Sequence, residues 1–361
     1  MNKVNKKIVN KNKISKLISQ GSFGCVYYPN IKCSKKEKIN QHTKKKNISK
    51  LQQKDFYALN EIHIGNKIKG IANFKNYFSP VINSCPVNLT TINPSILENC
   101  EVLKHSVTDN FLILDIEFIN NTAFSSFLLG KKSEEIIFFL TNSLLHLLEG
   151  INLLIKKDII HMDLKDDNIL FDIDKNKPII IDFGISIDRT TITKNINKNF
   201  YIFGPDYYVW CIEIHCINYL LHKSNKFTQN AIDSIIDGYI KNNSALFHDN
   251  LKKIFADRID VYLKKFIGKN KNEIIDECLM SYKKWDLYSI SILYIKTLTF
   301  LFKNNILNNK WIIDLYSILF DNINPDPEMR HTVDETIQLI EDLNNRPDDL
   351  KDVINVLNVK Y

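Results

Sequence analysis

The 361 residues carry 44% apolar side chains, enough for one large core or two lobes, which excludes a disordered or fibrous chain. The net charge of +7 is uneven: residues 1–50 hold fourteen lysines against one acidic residue, Glu37, so that stretch is +13 and the remainder −6 by difference. Only four arginines occur.

The lysine-rich leader, residues 1–13, reads as a solvated arm; the partners its charge would suit are an acidic protein surface or a nucleic acid. A strand starts over 14–18 and runs into Ser19-Gln20-Gly21-Ser22-Phe23-Gly24-Cys25-Val26-Tyr27. After a polar run at Lys44, Lys45 and Lys46, Asn47-Ile48-Ser49-Lys50-Leu51 reads as a second strand, with Ile48 and Lys50 facing one way and Leu51 the other. A helix follows through Phe56-Tyr57-Ala58-Leu59-Asn60-Glu61-Ile62. Residues 78–87 and 111–118 read as two more strands joined by a polar loop. Residues 133–156 have helical apolar spacing behind a cap at Ser133. The run 136–155 is the best membrane candidate, but Asn142, His146 and Glu149 interrupt it. A buried helix is expected there, and no transmembrane segment.

Ile159-Ile160 reads as a short strand, 169–171 as another, 174–177 as a turn, and Ile179-Ile180-Ile181 as a strand covered on both faces. Between and after them stand His161-Met162-Asp163-Leu164-Lys165-Asp166-Asp167-Asn168 and, fourteen residues on, Asp182-Phe183-Gly184. Phosphoryl transfer uses such residues, because its transition state spreads charge over phosphate oxygens that must be positioned and neutralised. These two motifs resemble the catalytic and metal-binding loops of the protein kinases, H-R-D-L-K-x-x-N and D-F-G.

The resemblance implies an α+β, bilobal fold. A β-rich N-lobe would run to about 117 and a mainly helical C-lobe over 118–345, with a tail at 346–361. It implies an ATP-dependent serine/threonine protein kinase using Mg²⁺, with a protein as substrate. Asp163 would take the proton of the acceptor hydroxyl, Lys165 would face the transferring phosphate, and Asn168 and Asp182 would hold Mg²⁺. The glycine-bearing stretch is similar to the family's nucleotide loop, with Ser19 in place of its first glycine; Ile18, Ser19, Gly21, Ser22, Phe23, Gly24 and Val26 would lie against the nucleotide. Lys50 would reach the phosphates and pair with Glu61. Ile116 would back the adenine pocket and Glu117 would stand at the hinge. Trp210-Cys211-Ile212-Glu213 stands where the family writes A-P-E, and Arg330 in Asp326-Pro327-Glu328-Met329-Arg330-His331-Thr332 would pair with Glu213. Asp286, in Trp285-Asp286-Leu287-Tyr288-Ser289, would brace the catalytic loop.

Met162 replaces the arginine with which regulated members clamp a phosphorylated activation-loop residue, so Thr190, Thr191 and Thr193 are not expected to need phosphate. Helical spacing at 231–241, 251–266 and 272–282 marks a helical insertion over about 214–280, either passive or a docking surface. Two alternatives keep the fold: a pseudokinase scaffold and a small-molecule phosphotransferase. The spelling of the motifs is most similar to divergent kinases of large DNA viruses, which would place the protein in host cytoplasm or virion. Seven cysteines without a C-x-x-C pair, and no apolar run at the N-terminus, lead to the expectation of reduced thiols in a cytoplasmic compartment. The spacings of Cys211, His215, Cys216 and His222 do not suit structural zinc.

Overall fold

A computed structural model describes residues 14–21, 23–33, 47–106, 108–129, 133–243, 249–302 and 310–346. The leader 1–13, Ser22, the lysines at 44–46 and the tail beyond Arg346 lie outside the described residues. The described chain forms two compact units, one of residues up to Asn66 with Pro80–Phe118, the other of Lys67–Ser79 with the chain from Ile119 onward.

The first unit is built on an antiparallel sheet in the order β1-β2-β3-β5-β4, from β1 (Lys16–Gly21), β2 (Gly24–Tyr28), β3 (Asn47–Gln53), β4 (Val81–Val87) and β5 (Phe111–Glu117). Side chains alternate across a strand, and β5 shows both consequences. Phe111 and Ile113 join Cys25, Tyr27, Leu51 and Val87 on one face. Leu112 and Leu114 join Val81 and Ala58 on the other, where Ala58 belongs to helix α1 (Phe56–Lys69). Burial on both faces explains the unbroken apolar spelling of Phe111-Leu112-Ile113-Leu114 in β5. β4 starts at Val81 rather than at 78, and Phe78 instead forms a bridge with Ile180 in the second unit.

What covers the first face corrects the reading of 88–110 as a polar loop. Two one-turn helices, α2 (Pro94–Leu97) and α3 (Glu101–Lys104), bring Ile96, Leu97, Val102 and Leu103 against the cluster that contains Ile92 and Cys100. Four-residue helices carry too little sequence to show a period, so the cover leaves no local signature.

The cover is also covalently fastened, which corrects the expectation of reduced thiols. Cys25 of β2 is disulfide-bonded to Cys100, and Cys33 to Cys85 of β4, with Cα–Cα distances of 5.9 and 6.1 Å. The pairs lie 75 and 52 residues apart, so no short spacing announces them. Cys211, Cys216 and Cys278 are free and buried. With four thiols paired, cysteine usage no longer argues for a reducing compartment.

The second unit is mainly helical. A three-stranded sheet β6-β8-β9 comprises β6 (Asn121–Ala123), β8 (Ile169–Asp172) and β9 (Lys177–Ile180), and a two-residue pair joins β7 (Ile159–Ile160) to β10 (Ile187–Asp188). Helix α4 (Phe124–Leu129) precedes α5 (Ser133–Ile155). Residues Glu135–Ile155 of α5 are long and apolar enough to cross a membrane by length and composition, and they are the one such helix among the described residues. In the fold, Leu140, Leu144, Leu147, Leu148, Ile151 and Leu154 are buried. The polar interruptions have partners: His146 Nε2 lies 2.8 Å from the Asn76 carbonyl, and Tyr77 donates to Glu149 at 2.9 Å. These are the features of a core helix.

After α6 (Ile196–Asn199) and α7 (Ile212–His222) come α8 (Gln229–Asn242), α9 (Asp249–Lys264) and α10 (Lys271–Met280). These three occupy the stretches where the sequence shows helical spacing. An Asn270/Glu273 capping box starts α10. The fully buried α11 start, in Trp285–Phe302, leads to α12 (Lys310–Asn322) and α13 (Val333–Asn344), the last opened by a Thr332/Glu335 capping box.

Candidate active site

In the first unit, Lys50 sits in β3 opposite Val26 of β2 and Leu114 of β5. Its Nζ lies 2.9 Å from Glu61 Oε2 of α1, and both side chains are buried. A buried pair is costly to break, about 3–5 kcal/mol, because the survivor keeps an uncompensated charge. Ile18, Ser19 and Gly21 are exposed along β1, and Val26 is half-buried. The Phe23 ring packs against Tyr57, 5.0 Å between centroids. Gly24 is required by a close approach: a Cβ there would stand 2.7 Å from the Leu51 carbonyl oxygen. Ile116 and Glu117 end β5, with Glu117 opposite Asn47.

In the second unit, the loop between β7 and β8 is held from several sides. Asp286 of α11 accepts the backbone N–H groups of His161 at 2.7 Å and Met162 at 3.1 Å. Asp286 is buried, and burial raises its pKa above the ordinary carboxylate value, against the opposing pull of the neighbouring His161 and of these two bonds. The His161 ring bridges its own loop and the residue that follows β9. Nδ1 accepts from the Asp163 N–H at 3.2 Å, which leaves Nε2–H to donate to the Ile181 carbonyl at 3.0 Å. Met162 is buried with φ of +71°, a conformation unusual for a side chain of its size. It is fixed from both ends, since the Trp210 indole also donates to its carbonyl at 3.0 Å.

This bracing presents three polar side chains together. Asn168 Nδ2 donates to Asp163 Oδ2 and to the Asp163 carbonyl, each at 2.8 Å. Lys165 Nζ stands 3.2 Å from the same Oδ2. Asp182 follows β9 with φ of +60°, and the Ile181 N–H bonds the Asn168 carbonyl at 3.0 Å, tying the two loops. Phe183 is buried against Phe78 and His161, with ring centroids 6.1 and 4.9 Å away.

One contact has no counterpart in the sequence reading. Tyr207, in the segment before α7, donates its phenolic hydrogen to Asp163 Oδ1. Lys165 Nζ donates to the same phenolic oxygen at 3.3 Å. Burial, then the Asp163 charge, raises the Tyr207 pKa well above that of an ordinary phenol. Tyr207 lies 44 residues from Asp163, and nothing local marks it. Below this segment, Glu213 and Arg330 form a bidentate pair at 2.9 and 2.7 Å with no exposure on either side chain. Ser281 donates to Glu213 at 2.8 Å, and the Arg330 Nε donates to the Asn324 carbonyl at 2.6 Å.

The donor set suits a hard divalent cation. Both Asn168 amide hydrogens are directed at Asp163, so its carbonyl oxygen is the atom left to ligate, and Asp182 adds a carboxylate. Among the described residues no group of three or more His, Cys, Asp or Glu side chains is placed to hold a metal. Mg²⁺ needs only one or two protein oxygens when phosphates and water complete its octahedron. His222 Nε2 lies 2.6 Å from the Phe200 carbonyl oxygen.

Residues 12–208, more than half of the chain, match the family model described as protein kinase domain. A comparison with curated proteins found no match.

Proposed function

The chain belongs to the protein kinase family, a family of phosphotransferases, and on that premise we propose that it transfers the γ-phosphate of ATP to a serine or threonine hydroxyl of a protein. The observation that carries this reading is the Asp163 carboxylate, with Asn168 at 2.8 Å and Lys165 at 3.2 Å. Asp163 accepts the proton of the acceptor hydroxyl as its oxygen attacks phosphorus. Lys165 faces the equatorial oxygens as charge develops there. Asn168 and Asp182 hold Mg²⁺, which supplies neutralisation of phosphate charge when bound. Lys50, fixed by Glu61, contacts the α- and β-phosphates, and the β1–β2 turn from Ile18 to Val26 covers the nucleotide. Glu117 offers its backbone to adenine.

Serine/threonine preference is supported by the lysine two residues after Asp163, and a protein substrate by the Glu213–Arg330 pair and Asp286. A role in a large DNA virus rests on the motif spelling alone. The lysine-rich segment before Asn47 is proposed to contact an acidic protein or nucleic acid. A pseudokinase scaffold is disfavoured by the full set of Asp163, Asn168 and Asp182.

The test is incubation of the purified protein with γ-labelled ATP, Mg²⁺ and parallel panels of protein and small-molecule acceptors. Label on serine or threonine of a protein acceptor is the expected result. Label confined to small molecules, or none at all with nucleotide bound, overturns the reading.

A further inference from the structure

The hairpin of β1 and β2 has two faces, and the reading given above uses only one of them for the nucleotide. Alternation along β2 puts Gly24 and Val26 on that side and the fully buried Cys25 and Tyr27 on the other. In β1 a register shift sets two residues, Ile18 and Ser19, against the single Val26. Leu17 then stands opposite Tyr27 and Gln20 opposite Cys25, so these four share the face turned away from the nucleotide.

That face is where the helical cover lies. α2 packs on β1 and α3 on β2, and Leu17 joins the apolar cluster beneath them. The start of α3 then takes hold of both strands at one rung. Cys100 is disulfide-bonded to Cys25, and the next residue, Glu101, donates its backbone N–H to Gln20 Oε1 at 3.1 Å. Such an N–H in the first turn of a helix has no partner within the helix, and Gln20 supplies one. Gln20 and Cys25 are direct partners across the hairpin, one rung before the Gly21–Gly24 pair. Consecutive residues of the cover therefore grip opposite strands beside the turn, where β1 is the end strand of the sheet.

We propose that α2 and α3 set the β1–β2 turn in place for the nucleotide, with Gln20 and Cys25 as the positioning residues through which they act. This rests on the ATP-dependent reading given above. A turn already held where the phosphates need it loses less freedom on binding, so the hold shows as nucleotide affinity and not as the rate of the chemical step. When the turn is released, apparent affinity falls in proportion to the fraction of molecules that still have it in place. Neither residue touches substrate; each acts through the turn.

The test is steady-state kinetics of the full chain with Mg²⁺, varying ATP and a protein acceptor independently, together with ATP titration in the absence of acceptor. Gln20→Met keeps the length of the side chain and drops its accepting oxygen; KM for ATP should rise about threefold with kcat and the KM for acceptor unchanged. Cys25→Ser/Cys100→Ser should raise KM for ATP about tenfold in the same pattern, and the ATP dissociation constant should rise by matching factors. Cys33→Ser/Cys85→Ser opens the other disulfide, which fastens β4 at the opposite end of the sheet, and should leave KM for ATP unchanged although it too lengthens the free chain. An equal rise in that control would mean general loosening and overturns the proposal. An unchanged KM for ATP in Gln20→Met overturns it as well, and this variant decides the matter if the paired serine variant does not fold. A native chain that neither binds ATP nor transfers phosphate removes the ATP-dependent reading, and this inference with it.

Discussion

Asp163 is held by neighbours that keep its carboxylate aimed, and replacing it separates the base from the rest of the site. Asp163→Asn keeps the size of the side chain but removes its charge and basicity and turns one of its two accepting oxygens into a donor amide. The turnover number should fall by ~10²- to 10⁴-fold with nucleotide affinity little changed, measured by steady-state kinetics and nucleotide titration. Met162 bears on control. A thioether offers a phosphate neither charge nor donor, and here it is buried between Asp286 and Trp210. Asp188 already anchors the segment that follows, accepting Thr190 N–H at 3.0 Å, the Thr190 hydroxyl at 2.7 Å and Lys67 at 2.8 Å. Replacing Thr190, Thr191 and Thr193 together by alanine should therefore leave kcat toward an added acceptor within about threefold, beside a ~10²-fold or greater loss where a phosphate clamp is essential. A loss of that larger size, restored by acidic residues, would mean that Arg189 or Lys194 serves as the clamp.

At the scale of elements, two contacts join stretches far apart in sequence. The Cys25–Cys100 disulfide fastens the helical cover of the sheet to β2, the strand that begins at Gly24. With 75 residues between its ends, its loss should cost roughly 4 kcal/mol by loop entropy. Urea unfolding of Cys25→Ser/Cys100→Ser should show that drop in the denaturation midpoint with a somewhat steeper slope, because the released chain unfolds to a less compact state, and an unchanged midpoint would mean the cover holds without its fastening. The second contact is Gly238 on Pro205. Alanine is favoured over glycine in a helix by about 1 kcal/mol, but a proline ring cannot swing aside from a Cβ at 2.5 Å. The clash wins, so Gly238→Ala should destabilise by about 1–3 kcal/mol in thermal unfolding. It should also change kcat, because Pro205 and Tyr207 share one turn; a stabilised variant with unaltered kcat would contradict this.

For the whole molecule, pH dependence follows from a buried group outside the catalytic loop. His215 of α7 is fully buried, and that burial lowers its pKa to about 3. The unfolded chain protonates an ordinary histidine near pH 6.5, so between roughly pH 6.5 and 3 the unfolded state binds the extra proton and stability falls as pH falls. The slope from this one residue should reach about 1.4 kcal/mol per pH unit. Denaturant midpoints measured across that window should flatten in His215→Phe relative to the native chain, and equal slopes would refute the assignment.

His161 to Asn168 and Asp182 to Gly184 were legible because the chemistry they suit calls for particular residue types at short, fixed separations. The same locality made α8, α9 and α10 visible, since an amphipathic helix repeats its pattern within a few turns. The burial of β9 was written in the apolar run Ile179-Ile180-Ile181, whereas β3, spelled Asn47-Ile48-Ser49-Lys50-Leu51-Gln52-Gln53, is buried in its middle without an apolar signature. Pairings across long stretches of chain were decided only by the folded structure: Cys25 with Cys100, Cys33 with Cys85, Gly238 against Pro205, and Tyr207 on Asp163. Each joins residues whose neighbours in sequence carry no trace of the partner. A cysteine, a glycine or a tyrosine acquires such a role from the atoms that packing brings within a few ångströms, and packing is a property of the whole fold.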